Sequence, residues 1–363
     1  MGLVALKVSR LYGAATQLYV IQLKNAVPAL EEIDCRRQSG ATLWKGLNVG
    51  KPLGASWRHH YVPKFHLKGF TKPDGELYVF DKLLNKLKPK SVSPTSHFFE
   101  PNRNTVTGAG IDPDVIERLY GEYDSTVAGL FERLRADPPP SVDLRMISDL
   151  KCYLSVLFWR LPESDKYLDD IVTKLGFEKL GIRLVHPETG EEIKWPEFER
   201  IALRDTELRK GLRFLPIPLA TFDLFVQDYD VRNWAFYRGP TDPKSPHICS
   251  DNPIVFEKLE EAFEFRCHIA FPASSNCLVF DSPEGRKPDR IDKDIRMDLD
   301  CLAFRQAQRY VCSSDGDYLE SLAELCCLEG KILPIDQHRE RLFRRFQDLA
   351  KVHPAPCSLT GEG

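Results

Sequence analysis

The tightest local constraint in this chain is Pro63, at the centre of His59-His60-Tyr61-Val62-Pro63-Lys64-Phe65-His66-Leu67-Lys68-Gly69-Phe70. Proline fixes its own φ, lacks a backbone donor and pushes the preceding residue into an extended conformation. His60-Tyr61-Val62 is therefore expected to be strand-like, with His60 and Val62 on one face and His59 and Tyr61 on the other. Beyond Pro63 we expect a short helical turn closed by Gly69. No other stretch is so dense in groups that can do chemistry. Histidine titrates near neutrality, so it serves as acid, base or metal ligand. It is also a common hydrogen-bonded structural residue among aromatics. His59 and His66 are read in this second way, and for His60 both readings stay open.

A hairpin follows. Asp74-Gly75 is a turn, Leu77-Tyr78-Val79-Phe80 a strand, and Lys86-Leu87-Lys88-Pro89-Lys90 a returning edge strand guarded by lysine and proline. From Trp57 to Lys90 eight basic residues face three acids, a local charge of +5 in a chain whose net charge is -3. That excess suits a phosphate-facing patch, though such a run is more often a solvated edge and turn.

Helices dominate the middle of the chain. The first starts at Asp112-Pro113, carries an apolar stripe from Ile116 to Leu134, and stops before Pro138-Pro139-Pro140. Glu117, Gly121, Asp124 and Ala128 form a second line on it. The next helix runs from about Asp143 to Trp159, with Leu144 inward, and is apolar enough near its end to be central and buried. Arg160 follows it, where a cation meets the helix dipole and, if buried, needs an anionic partner. Two more helices are expected between Glu163 and Leu215, separated by His186–Gly190, and another from Phe222 to Tyr229.

Strands return with Trp234–Tyr237 and His247–Phe256, the latter interrupted by a polar knot at Ser250-Asp251-Asn252-Pro253. Phe265–Ala270 and Cys277–Phe280 continue the pattern. A long helix from Asp292 to about Val311 and two further helices, Tyr318–Leu328 and Asp336–Lys351, close the chain. The order strands, helices, strands predicts an α+β fold, mainly helical, with a small antiparallel sheet formed by the early hairpin and the late strands. Residues 1–56 read as an N-terminal extension with one candidate strand at Leu18–Leu23. Residues 57–315 read as a single α+β domain, and 316–363 as C-terminal helices and tail.

Composition sets limits. Ten cysteines are scattered without C-x-x-C or any Cys/His spacing that fits a structural zinc site. They read as small buried thiols in a reducing compartment, which makes the cytoplasm the expected location. Lys7 and Arg10 break the first apolar run, and no segment is long and apolar enough to span a bilayer, so no membrane association is expected. P-loop, Rossmann, G-x-S-x-G and H-E-x-x-H motifs are absent.

Taken together, His60–Phe70, the Asp74–Lys82 hairpin, Ile116-Glu117, Arg160–Pro162, Ser250–Pro253, Phe271-Pro272 and Arg309–Val311 resemble a mostly bacterial family, domain of unknown function 4238. The resemblance covers roughly 57 to 315. The first fifty-odd residues have no counterpart in it, and the long helix lacks the family's usual Asn near Ala303. It implies a fold unit without an established activity, and it directs attention to His60, Glu117, Arg160, Asp251 and Asn252 as the shared polar residues.

Two functions fit these residue types. In a metal-assisted phosphodiesterase or nuclease-like hydrolase, of a bacterial defence or mobile-element system, His60 is base or ligand. Glu117 and Asp251 hold Mg²⁺ or Mn²⁺, Arg160 steadies the phosphate and Asn252 orients water. Lys64, Lys82 and Ser250 then bind substrate, and nucleic acid is the expected partner of the basic hairpin. In the alternative, a non-catalytic structural or partner-binding protein, the same residues form a buried His/Arg/Asp network, with Asp251 pairing Arg160.

Overall fold

The computed structural model describes residues 2–6, 19–23, 57–106, 113–136, 143–171, 182–185, 191–192, 194–214, 217–218, 221, 231–238, 246–282, 285–288 and 291–352. The Asp112 cap, the triple proline, the His186–Gly190 separator and the expected helix at Phe222–Tyr229 lie outside these residues. Among the described residues the fold is α+β, with strands β1 (Gly2–Leu6), β2 (Tyr19–Leu23), β3 (Arg58–His60), β4 (Tyr78–Asp81), β5 (Lys86–Leu87), β6 (Phe99–Pro101), β7 (Ile182–Val185), β8 (Trp234–Arg238), β9 (Cys249–Ser250), β10 (Val255–Phe256), β11 (Ile269–Ser274), β12 (Cys277–Asp281) and β13 (Tyr310–Ser313). The α-helices are α1 (Lys64–Leu67), α2 (Val115–Arg135), α3 (Leu144–Arg160), α4 (Asp165–Asp170), α5 (Trp195–Arg204), α6 (Thr206–Phe214), α7 (Lys293–Gln306), α8 (Gly316–Ile332) and α9 (Ile335–Val352). No described helix is long and apolar enough to cross a membrane.

The chain divides into two units, and the division falls inside the proline-centred stretch, between Tyr61 and Val62. One unit holds 1–61, 99–126 and 148–227; the other holds 62–98, 127–147 and 228–363. In the first, β1, β2 and β7 make an antiparallel sheet and β3 pairs with β6. Ile116, Tyr120 and Phe214 are central to an apolar cluster there.

The second unit carries two four-stranded antiparallel sheets. In one, the order β5-β4-β13-β9 joins the early hairpin to late strands, with β5 at the edge. In the other the order is β10-β11-β12-β8. The expected sheet of early hairpin and late strands is thus present, and further small antiparallel sheets accompany it. The polar knot between β9 and β10 passes the chain from one sheet to the next, since β9 pairs with β13 and β10 with β11. Helices α7, α8 and α9 pack with Leu299, Leu302, Leu319, Leu342 and Phe343 in one core.

Caps account for several helix starts. The carboxylates of Asp143, Asp205, Asp292 and Asp315 accept from the backbone N–H groups of Met146, Leu208, Ile295 and Tyr318 at 2.7–3.1 Å. Asp205 splits the expected single helix after His186–Gly190 into α5 and α6. The helix expected to reach Val311 stops at Gln306. Tyr310–Ser313 pair with both β4 and β9, and a β-branched and aromatic run is better held in that sheet. Leu144 is 56% exposed rather than inward. Phe265, expected in a strand, takes a left-handed conformation at φ 52° after a 3₁₀ turn, and the strand begins at Ile269.

At the proline the expectation of a strand and then a helical turn holds in sequence order, but the strand ends at His60. Pro63 is extended (ψ 142°), and its carbonyl accepts from the N–H groups of His66 and Leu67 at 3.1 Å each. A 3₁₀ turn then carries Lys68–Phe70. His59, His60, Tyr61 and Val62 are all buried, so this stretch has no solvent-facing side. Gly69 sits where a Cβ would lie 3.0 Å from the Ser274 side chain, and its carbonyl accepts from Ser275 N–H. The preceding His66 is fully buried, rings of Phe70, Phe131 and Phe271 lie 5.0–5.5 Å from it, and its Nε2–H donates to the Pro272 carbonyl at 3.1 Å.

Burial pulls the pKa of His66 from 6.5 down to about 4, with the Pro272 bond opposing and Arg135 adding to the drop. The folded state therefore keeps His66 neutral while the unfolded chain protonates it below about pH 6.5. Its contribution is complete above pH 6.5 and is lost as pH falls toward 4, a change of about 3 kcal/mol. Denaturant titrations across this range should show His66→Leu with a flatter pH dependence than wild type. Parallel curves would refute the assignment.

Candidate functional site

In the first unit the polar residues converge on Arg160, the last residue of α3. Its guanidinium is 3% exposed. Nε donates to the His60 carbonyl at 2.7 Å, and Nη1 donates to both oxygens of Asp124 at 2.8 and 3.0 Å. The guanidinium carbon stands 4.2 Å from the centre of the Tyr120 ring. Burial opposes the charge, but Asp124, Tyr120 and Glu117 outweigh it and hold the arginine above its ordinary pKa. Burial pushes the Tyr120 phenol up.

Beside this cluster, Asn104 is 3% exposed and works in two directions. Its Nδ2 donates to Glu117 Oε2 at 2.9 Å, and its backbone N–H donates to His59 Nδ1 at 2.8 Å. The His59 proton therefore belongs on Nε2. Glu117 is half-buried on α2, two helical turns before Asp124 on the same face. The His60 ring lies 5.6 Å from Phe99 in a tilted arrangement. His60 and Arg160 are thus brought together, but through the histidine's backbone carbonyl.

In the second unit Asp251 lies at the knot after β9. Its carboxylate accepts from the backbone N–H groups of Gln308, Arg309 and Tyr310 at 2.9, 2.7 and 2.9 Å. Burial nevertheless raises its pKa, against those three donors and Lys82. Asp251 N–H in turn donates to the Tyr310 carbonyl at 3.0 Å. Asn252 N–H donates to Ser250 Oγ at 3.2 Å, closing the knot, and the Asn252 carbonyl accepts from Gln306 Nε2. Lys82 Nζ donates to the carbonyls of Phe304 at 2.7 Å, Arg305 at 3.0 Å and Ala307. That ammonium caps the end of α7, where unsatisfied carbonyls and the negative helix pole converge. Burial lowers its pKa, with Asp251 opposing. Lys64 is exposed at the start of α1.

The shared polar residues thus fall into two sets, one per unit. His60, Glu117 and Arg160 belong to the first, and Lys64, Lys82, Ser250, Asp251 and Asn252 to the second. The anionic partner of Arg160 is Asp124, and the carboxylate of Asp251 is taken up by backbone donors. Asp124 was visible as a helical neighbour of Glu117, but nothing in the sequence tied it to Arg160, thirty-six positions away. Asn104 follows no motif at all.

The family described as Protein of unknown function (DUF4238) matches residues 58–317. No curated protein matches the chain. No solved structure matches it.

A buried guanidinium whose carboxylate is removed keeps its desolvation cost without the compensating attraction, typically about 3–5 kcal/mol. Asp124→Ala should lower unfolding free energy by about that amount. The double variant Asp124→Ala/Arg160→Met should lose less than the two single losses added together. A near-neutral Asp124→Ala would remove the pair from the list of determinants.

Proposed function

The chain belongs to the DUF4238 family, and from that premise we propose that it is a non-catalytic, partner-binding protein whose family-pattern polar residues serve its own architecture. The observation that carries this reading is the use of Asp251. An ionised carboxylate in a metal site offers its lone pairs to the ion, whereas here they receive three backbone N–H groups. The arginine that a phosphodiesterase would aim at phosphate has Nη1 on both oxygens of Asp124 and Nε on the His60 carbonyl.

The partner we propose is a polyanion such as nucleic acid, met by the hairpin. Lys82 is held at the end of α7 and Lys88 lies 3.4 Å from buried Asp81, but Lys86 and Lys90 are exposed. A cytoplasmic setting accords with eight free cysteines among the described residues. A metal-assisted hydrolase of a defence or mobile-element system, using Mg²⁺ or Mn²⁺, is the second reading. Its support is the pair of half-buried carboxylates, Glu117 and Asp124, on one face of α2.

One experiment separates them. Purified protein is incubated with plasmid DNA and total RNA in Mg²⁺, Mn²⁺ or EDTA, and binding is measured across salt concentrations. We expect no cleavage, with binding that weakens as salt rises. Lys86→Ala/Lys90→Ala should reduce the slope of log affinity against log salt by about 1–2. Metal-dependent cleavage that disappears in His60→Ala would reverse the choice, and a salt-independent or absent interaction would remove the polyanion.

A further inference from the structure

Four side chains that no functional reading above uses meet among the last three helices of the second unit. Cys301 comes from α7, Cys326 and Glu329 from one face of α8, and His338 from α9. One ligand atom from each of Cys301, Glu329 and His338 lies within 4.8 Å of the others. Glu329 Oε2 is 3.7 Å from Cys301 Sγ and 3.7 Å from His338 Nδ1. Tetrahedral Zn²⁺ with bonds of 2.0–2.3 Å spaces its ligand atoms by about 3.5 Å. Cys326 Sγ, 2.8 Å from Cys301 Sγ, is the nearest source of a fourth ligand and has to part from it by roughly 1 Å to reach such spacing.

The surroundings of His338 point the same way. Its Nε2 lies 2.9 Å from Asp298 Oδ1, the carboxylate–histidine pairing that puts the ring proton on Nε2 and leaves Nδ1 with its lone pair. That Nδ1 faces the Cys301–Glu329 side. In this structure Arg305 Nη1 occupies the direction of its lone pair at 2.8 Å, while Arg305 Nη2 donates to the Leu333 carbonyl. Arg305 is half-buried, and a metal on Nδ1 requires it to turn away from His338. Its charge, left nearby, balances a site with two thiolates and a carboxylate around one divalent ion.

We propose that Cys301, Glu329 and His338, with Cys326 as the fourth ligand, bind one zinc ion that pins α7, α8 and α9 together. Thiolate and imidazole donors select zinc over Mg²⁺ or Mn²⁺, so this site is independent of the hydrolase reading. Binding displaces the thiol protons to solvent and breaks no covalent bond.

The test uses the full chain, purified under reducing conditions. Metal content is read by mass spectrometry. Apoprotein is titrated with Zn²⁺ and, separately, with Co²⁺, whose tetrahedral thiolate complexes absorb strongly. We expect one zinc per chain, a thiolate-to-cobalt charge-transfer band, and loss of both in Cys301→Ser. Asp298→Asn should weaken zinc binding 10–100-fold while leaving the cobalt spectrum of saturated protein tetrahedral. If Cys301→Ser does not fold by circular dichroism, the wild-type cobalt spectrum and His338→Gln decide in its place. Folded wild type that takes up no zinc would overturn the proposal, as would a cobalt spectrum without a thiolate band. A Cys301–Cys326 disulfide in protein prepared under reducing conditions would also overturn it, marking a redox pair.

Discussion

The second unit depends on how one buried carboxylate is neutralised. Asp251 sits where a strand of one sheet ends and the chain crosses to another. It binds the three consecutive N–H groups of Gln308, Arg309 and Tyr310 that lead into β13. Those groups follow the end of α7, so their donors have no helical acceptor and only begin to meet the ladder. On the other side of the same junction, Lys82 from the hairpin gathers the carbonyls left at the helix end. One acid and one base thus satisfy opposite halves of the same break in the backbone. Neither substitutes for the other, because a carboxylate only accepts and an ammonium only donates. The helix can stop and the strand can start within four residues because both sides of the break are served.

The first unit repeats the logic around a cation. Arg160 follows an apolar helix end, which draws it inward and removes it from water. A guanidinium there needs acceptors in several directions, and it finds a carboxylate, a backbone carbonyl and an aromatic face. The acceptor from the proline-centred stretch is the carbonyl of His60, which fixes where that stretch enters β3's end. The imidazole is a separate matter. The prominence of His60 in the sequence is thus explained in part by its backbone, a contribution any residue type could make and no residue type advertises.

This is why element types were legible and the site was not. Pro63, the Asp-Gly turn and the aspartate caps act within a few residues, so their effect can be read from neighbours. The partition of strands among sheets was hidden, because β9 and β10 are separated by only four residues yet pair with different partners. The tail of α7 was misassigned for a related reason. Helical propensity favours continuation through Arg309–Val311, and only the two flanking strands give that segment a better place. In the structural alternative Asp251 and Arg160 were expected to pair with each other, an inference from opposite charge alone. Geometry gave each a different partner, Asp124 for one and backbone N–H groups for the other.

Charge complementarity in a sequence therefore narrows chemistry less than it narrows burial. A list of His, Glu, Asp and Arg suits a metallohydrolase because these are the residues that can bind ions and phosphate. They are equally the residues that satisfy buried ends of helices and strands, and the demand for the second use is set by the number of such ends. The discriminating quantity is the lone pairs and protons left over once the backbone is served. Asp251 has its oxygens directed at three N–H groups, and Arg160 has Nη1 on Asp124 and Nε on the His60 carbonyl. At Cys301, Glu329 and His338 the ligand atoms lie within 4.8 Å of one another, with Arg305 on His338 Nδ1 and Arg341 on the Glu329 carboxylate as the groups a metal would displace. Since those ligands come from three different helices, no short spacing announces them. A search for Cys/His motifs passes over the place where the side chains are best arranged for a metal.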